Sequence, residues 1–108
     1  MRILSNDFTG DIGSWVLPSN MTTLLIRNND LSGDIGSWVL PATIVNFQIY
    51  GNDLSGDISS WVLTDAATPN LRFFQIHNNS LTGDLSAPGW ANMTAAMDSL
   101  IISGNDLS

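Results

Sequence analysis

The chain carries one histidine, His77, and ten carboxylates, all aspartate, against three arginines, with no lysine and no cysteine. Those counts decide which chemistries its side chains could support. A nucleophilic triad or a metal-activated water needs histidine with serine, carboxylate or further histidine partners converging on one point. The residues that share the place of His77 in the neighbouring repeats are Tyr50 and Ser103, which make neither set. No Gly-rich phosphate loop, Walker motif or HExxH segment is present. The chain therefore reads as non-catalytic, with no catalytic residue, cofactor or resident metal expected.

The aspartates are ordered. Asp7, Asp30, Asp53 and Asp106 form one series, interrupted by Ser80, and Asp11, Asp34, Asp57 and Asp84 form a second; only Asp65 and Asp98 lie outside both. Like charges about 5 Å apart repel by about 0.8 kcal/mol in water and about 3 kcal/mol at an effective dielectric of 20. Such columns must be solvated, hydrogen-bonded to turn amides or neutralised by cations. Asx-type turns, in which each carboxylate accepts a backbone N–H, are the plainer reading. A calcium ladder would need about 6–8 oxygens per ion, and no EF-hand or RTX spacing is present. The net charge of −7 argues against a nucleic-acid partner. A hydrophobic share of 44% argues for a folded chain. No apolar run approaches the roughly 18 residues of a membrane span, so no membrane insertion is expected.

The elements that must position these residues come from a repeat. GDIGSWVLP stands at 10–18 and again at 33–41, and GDISSWVLT follows at 56–64. Asn6, Asn29, Asn52, Asn79 and Asn105 mark the periods, with spacings of 23, 23, 27 and 26. Upstream of each later Asn lie three apolar residues at fixed offsets: Met21, Leu24, Ile26; Ile44, Phe47, Ile49; Leu71, Phe74, Ile76; Met97, Leu100, Ile102. With Leu31, Leu54, Leu81 and Leu107 two residues after each Asn, the pattern is LxxLxLxxNxL. The LxL alternation predicts a short strand with one buried face, and one such strand per repeat stacks into a parallel sheet.

On these residues the chain resembles the leucine-rich-repeat proteins, and NDLSGDI resembles their plant-type subclass, LxxLxLxxNxLSGxIP. The likeness covers essentially the whole chain. It departs where the subclass has Pro after Ile: Gly13, Gly36, Ser59 and Ser86 stand there, and Trp15, Trp38 and Trp61 recur beyond. The GDI-x-x-W segments point to a microbial or protist surface repeat more than to a plant receptor. The resemblance implies a leucine-rich-repeat solenoid with a parallel β-sheet on its concave face, one short strand per repeat, and an irregular, 3-10 or short-helical convex side. It implies a single array over 1–108 of about four repeats, uncapped at both ends, as in a fragment of a longer extracellular or cell-surface protein. Uncapped ends predict edge-to-edge self-association.

The Asn column reads as a structural ladder, because an amide both donates and accepts where the chain turns away from its strand. Gly10, Gly33, Gly56 and Gly83 mark a bend that a Cβ would obstruct. The Trp column reads as core, the flanking Val16, Leu17, Val39, Leu40, Val62 and Leu63 arguing against an exposed carbohydrate-stacking platform. Residues alternating with the buried LxL positions point outward, and the resemblance makes that face the ligand surface. Its candidates are Arg27, Tyr50, His77, Gln48, Gln75, Phe73, Asn46 and Thr23, and the expected function is recognition or adhesion through a protein or glycan ligand. The alternatives are a structural spacer without a ligand, and ice or mineral binding through the regular Asp columns and the hydroxyls of Thr9, Ser32, Ser55, Thr82 and Ser108. Three N-glycosylation sequons, at Asn20, Asn78 and Asn92, would matter only in a eukaryotic secretory setting.

Overall fold

A computed structural model describes residues 9–86, 88–91 and 97–108. It is a parallel β-solenoid of about four turns with almost no helix. Each turn supplies strands to two sheets. β2 (Thr23–Leu25), β4 (Asn46–Gln48), β6 (Phe73–Gln75) and β8 (Ser99–Ile101) form a four-stranded parallel sheet from the LxL segments. β1 (Thr9–Asp11), β3 (Asp30–Asp34), β5 (Asp53–Asp57), β7 (Ser80–Gly83) and β9 (Asp106–Leu107) form a second, five-stranded parallel sheet. One strand per repeat was therefore an undercount, because the NDLSGDI segment supplies a second strand to each turn. The helix among the described residues is α1, Pro88–Ala91.

The two sheets stack differently. In the four-stranded sheet, equivalent residues pair: Thr23 with Asn46, Asn46 with Phe73, Phe73 with Ser99. In the five-stranded sheet the register slips by two, so Thr9 pairs with Asp30 and Asp11 with Ser32, although Ser32 and Asp34 are their repeat equivalents. The same slip sets Ser32 beside Asp53 and Asp34 beside Ser55. It sets Asp57 beside Thr82, and Thr82 beside Asp106. Aspartate thus faces a hydroxyl residue instead of another aspartate, which removes the directly opposed like charges that destabilise a sheet.

The slip also explains the Gly before each Asp. A Cβ on Gly33 or Gly56 would fall on the carboxylate of the preceding turn, Asp11 or Asp34, and within 2.7–2.8 Å of the backbone nitrogen of Gly13 or Gly36. The φ angles there, 120° and 114°, lie in the region that favours glycine.

Between the sheets, two aromatic columns interlock. Phe47 and Phe74 stack with centroids 5.5 Å apart. Trp61 meets both edge-on, at 5.9 and 6.3 Å, while Trp38 meets Phe47 at 6.5 Å and Trp90 meets Phe74 at 5.7 Å. Such edge-to-face pairs contribute about 0.5–1.5 kcal/mol beyond their burial. Trp38, Trp61 and Trp90 are buried and Trp15 is partly so, which places the Trp column in the core. Leu40 and Leu63 join it, but Val16 and Val39 are 88% and 79% exposed, so the valines, read from sequence as core, line the outside instead. The cause is the turn that Trp closes: Trp15, Trp38 and Trp61 each donate a backbone bond to the Ile three residues earlier, at 3.1 Å, and the next side chain then faces solvent. In the longer fourth turn α1 delivers Trp90 to the same place, where Nε1 donates to Ile58 O at 2.9 Å.

The Asn column ties turn to turn. Asn52 Nδ2 donates to Ile26 O and Ile49 O at 2.6 and 2.9 Å. Asn79 Nδ2 reaches Ile49 O and Ile76 O, both at 3.1 Å, and Asn105 Nδ2 reaches Ile76 O and Ile102 O at 3.0 and 3.2 Å. Each Oδ1 accepts from the turn before, from Leu31, Leu54 and Leu81 N–H respectively. Asn29 donates to Arg27 O at 2.9 Å. Asn6 and Asp7 lie outside the described residues, as does the sequon at Asn92.

Candidate functional site

The outer face of the four-stranded sheet gathers the sequence-predicted residues. Thr23, Asn46 and Phe73 share one column of the register, and Gln48 and Gln75 share another with Leu25 and Ile101. Leu25, an outward position by alternation, is nevertheless buried. Arg27, Tyr50 and His77 follow two residues after their strands, where in-register pairing brings equivalent positions of successive turns together.

That column is a stack. Tyr50 and His77 lie 4.3 Å apart between centroids and 12° from parallel. The guanidinium carbon of Arg27 lies 5.9 Å from the Tyr50 ring centroid, on the scale of a cation–π contact. Arg27 Nη1 also donates to Gln48 Oε1 at 3.3 Å and to the Tyr50 hydroxyl at 3.5 Å. Gln48 Nε2 donates to Asn46 Oδ1 at 2.7 Å, and Gln75 Nε2 to Ser99 Oγ at 3.1 Å. Phe73 is half-exposed beside them. Burial lowers the pKa of His77 below its ordinary value, with a smaller opposing pull from the Ile101 backbone, which favours the neutral imidazole. Its Nδ1 is buried without a hydrogen-bond partner among the described residues.

A second set of polar groups lines the edge of the other sheet. Asp11, Asp34, Asp57 and Asp84 each accept, through Oδ1, the backbone N–H two residues on, at 2.8–2.9 Å. These are Asx-type turns, and they give the carboxylates a local partner. Ser59 and Ser86 add hydroxyl bonds at 2.5 and 2.7 Å. Ser32, Ser55, Thr82 and Ser108 donate to the backbone carbonyls of Gly10, Gly33, Gly56 and Gly83. The hydroxyl column is thus bonded to the scaffold. Among the described residues, no three His or Asp side chains are grouped to hold a metal ion.

Asp57 is held below the usual carboxylate pKa, first by the Ser59 hydroxyl and then by the Ser59 N–H, against desolvation and the charge of Asp84. A depressed folded-state pKa contributes stability above the unfolded value, and that contribution is lost as pH falls through the folded value. Ser59→Ala is therefore expected to move the Asp57 pKa upward, toward 3.8, and to shift the acid limb of stability to higher pH. Carboxyl ¹³C titration and melts between pH 2 and 5 check it; an unmoved Asp57 titration would show that the hydroxyl bond does not persist in solution.

Sequence reasoning missed one column beside the site. Asn28 and Asn78 have φ of 53° and 57°, and Gly51 and Gly104, their equivalents in the intervening turns, have 72° and 69°. A Cβ on either glycine would meet the amide of the Asn one turn below. The Asn/Gly alternation at 28, 51, 78 and 104 was the available signal. It pairs a large left-handed residue with a small one, and it turns the chain immediately after Arg27, Tyr50, His77 and Ser103.

Fold and site together define a parallel β-solenoid that carries an ordered polar and aromatic stack on one sheet. No family model matches the chain, and no curated protein and no solved structure matches it significantly. Among the described residues, no helix is long and apolar enough to cross a membrane.

Proposed function

We propose that this chain is a non-catalytic recognition module of the leucine-rich-repeat kind, in which the four-stranded sheet is the concave surface and its outward residues bind a protein or glycan ligand at a cell surface. The observation that carries the reading is the Arg27–Tyr50–His77 stack with its Gln48 partner. These side chains are held by one another before any ligand arrives, so little rotamer freedom is left to lose on binding. Aromatic and Arg residues also supply most interface hot spots. A protein ligand fits better than a glycan. Tyr50 has His77 stacked on it and the Arg27 guanidinium carbon 5.9 Å from its centroid, which leaves a sugar ring little of Tyr50 to stack on.

The test is a paired screen of the chain against a glycan array and an array of extracellular protein fragments, followed by Tyr50→Ala and His77→Ala. The expected result is a protein ligand whose affinity falls about 10- to 30-fold in either variant, the range of a moderate hot spot. No ligand on either array, or a ligand indifferent to both substitutions, would favour the spacer reading.

A further inference from the structure

The stack on the four-stranded sheet is open at one end. Arg27, Tyr50 and His77 hold the same place in successive turns, and the next residue in that place is Ser103, exposed and too small to cover an imidazole. His77 has Tyr50 against one face; on the other, among the described residues, it meets no ring or guanidinium. Gln75 and Ile101 flank the vacancy. Gln75 donates through Nε2 to Ser99, which leaves Oε1 to accept. Ile101 is 38% exposed and offers an aliphatic surface beside Ser103.

The chain shows what such a place can hold. Its own Arg27, from the preceding turn, lies over Tyr50 and donates to Gln48 Oε1; His77 offers the side toward the following turn, with Gln75 two residues before it as Gln48 is before Tyr50. We propose that His77, Gln75 and Ser103 form a subsite for the guanidinium of an arginine in a basic peptide segment of a protein partner. The guanidinium stacks on the imidazole and donates to Gln75 Oε1, and the methylene stem lies along Ile101. The charge of the chain fits this occupant: the net charge is −7, and Arg72 is already paired with Asp98 at 2.6 Å. Burial of His77 disfavours its charged form, which limits repulsion toward a cation. Arginine suits the place better than lysine because its planar group stacks and donates at once.

This inference rests on the four-stranded sheet being the recognition face, and it names the chemistry of the ligand there. The experiment follows ¹⁵N–¹H spectra of the full chain during titration with a blocked Gly-Arg-Gly tripeptide and its Gly-Lys-Gly counterpart at equal ionic strength. Saturable shifts at His77, Gln75 and Ser103 are expected, with the arginine peptide bound about three- to fivefold more tightly, as one exposed stacking contact supplies. Ser103→Trp, which fills the vacancy, and Gln75→Leu, which removes the acceptor, should each weaken the arginine peptide to the level of the lysine one. Equal affinities for the two peptides, or binding untouched by both substitutions, would overturn the subsite and leave only diffuse attraction to the aspartates. If the arginine peptide fails while an array ligand still depends on Tyr50 and His77, the subsite is wrong and the recognition reading stands. If the arginine peptide binds as expected while neither array yields a ligand, the subsite stands and the wider reading falls.

Discussion

Phe74→Ala is expected to destabilise the chain by about 3–5 kcal/mol, the cost of truncating a fully buried aromatic side chain. Phe74 is fully buried and stands at the junction of the two aromatic columns, stacked on Phe47 and met edge-on by Trp61 and Trp90. Its removal opens a cavity that neither sheet can close, because the strands on either side are fixed at the spacing of the parallel ladder. Leu100 holds the same position in the last turn, where it packs against one neighbouring turn and is 43% exposed, so Leu100→Ala should cost less than half as much. Denaturant midpoints for the two variants at unchanged m-value provide the check. Equal losses would mean that neither the deeper burial of Phe74 nor its aromatic neighbours add to its contribution.

The four-stranded sheet was legible because LxL alternation is a direct image of a half-buried strand, and Leu24, Phe47 and Phe74 are indeed fully buried on it. The second sheet was not legible. NDLSGD contains Asp, Asn, Gly and Ser, residues depleted in strands and typical of turns. In isolation the segment has no reason to extend. In a solenoid it has a near-identical neighbour above and below, and the backbone bonds of the ladder override propensity. The register slip that seats Asp beside Ser or Thr was equally hidden, since periodicity places equivalent residues together and says nothing of an offset between turns. Burial failed for a simpler reason: in SWVLP, hydrophobicity alone cannot tell Val16 and Val39, which face solvent, from Trp38 and Leu40, which do not.

The candidate site was legible as a list and illegible as an object. Alternation placed Thr23, Asn46, Phe73, Gln48 and Gln75 on one face, and periodicity placed Arg27, Tyr50 and His77 in one column. The sequence could not show that these last three stack on one another, since that follows from in-register pairing and the left-handed residue after each of them. The stack turns three separate contact residues into one ordered strip and leaves its open end at His77.

Asn79→Ala separates the ladder from the core. Asn79 is buried, its amide donates to the carbonyls of Ile49, Ile76 and His77, and its oxygen accepts from Leu54 N–H. Ile49 O and Ile76 O each keep a second donor, from Asn52 and Asn105. The principal loss is Leu54 N–H, left buried without an acceptor, and the expected cost is about 2–3 kcal/mol, or roughly 10–20 °C in melting temperature. Asn79→Asp keeps the acceptor but points a carboxylate at three carbonyls, so it should destabilise more than alanine at pH 7. Burial and those carbonyls raise the folded-state pKa of the new carboxyl above its unfolded value. The loss should therefore shrink as pH falls through that raised pKa, because the protonated acid regains one donor. Thermal melts of the two variants between pH 4 and 8 should cross, alanine above aspartate at neutral pH and the order narrowing or reversing in acid. Parallel curves would show that water reaches the position and leaves the new carboxyl with the same pKa in the folded and unfolded chain.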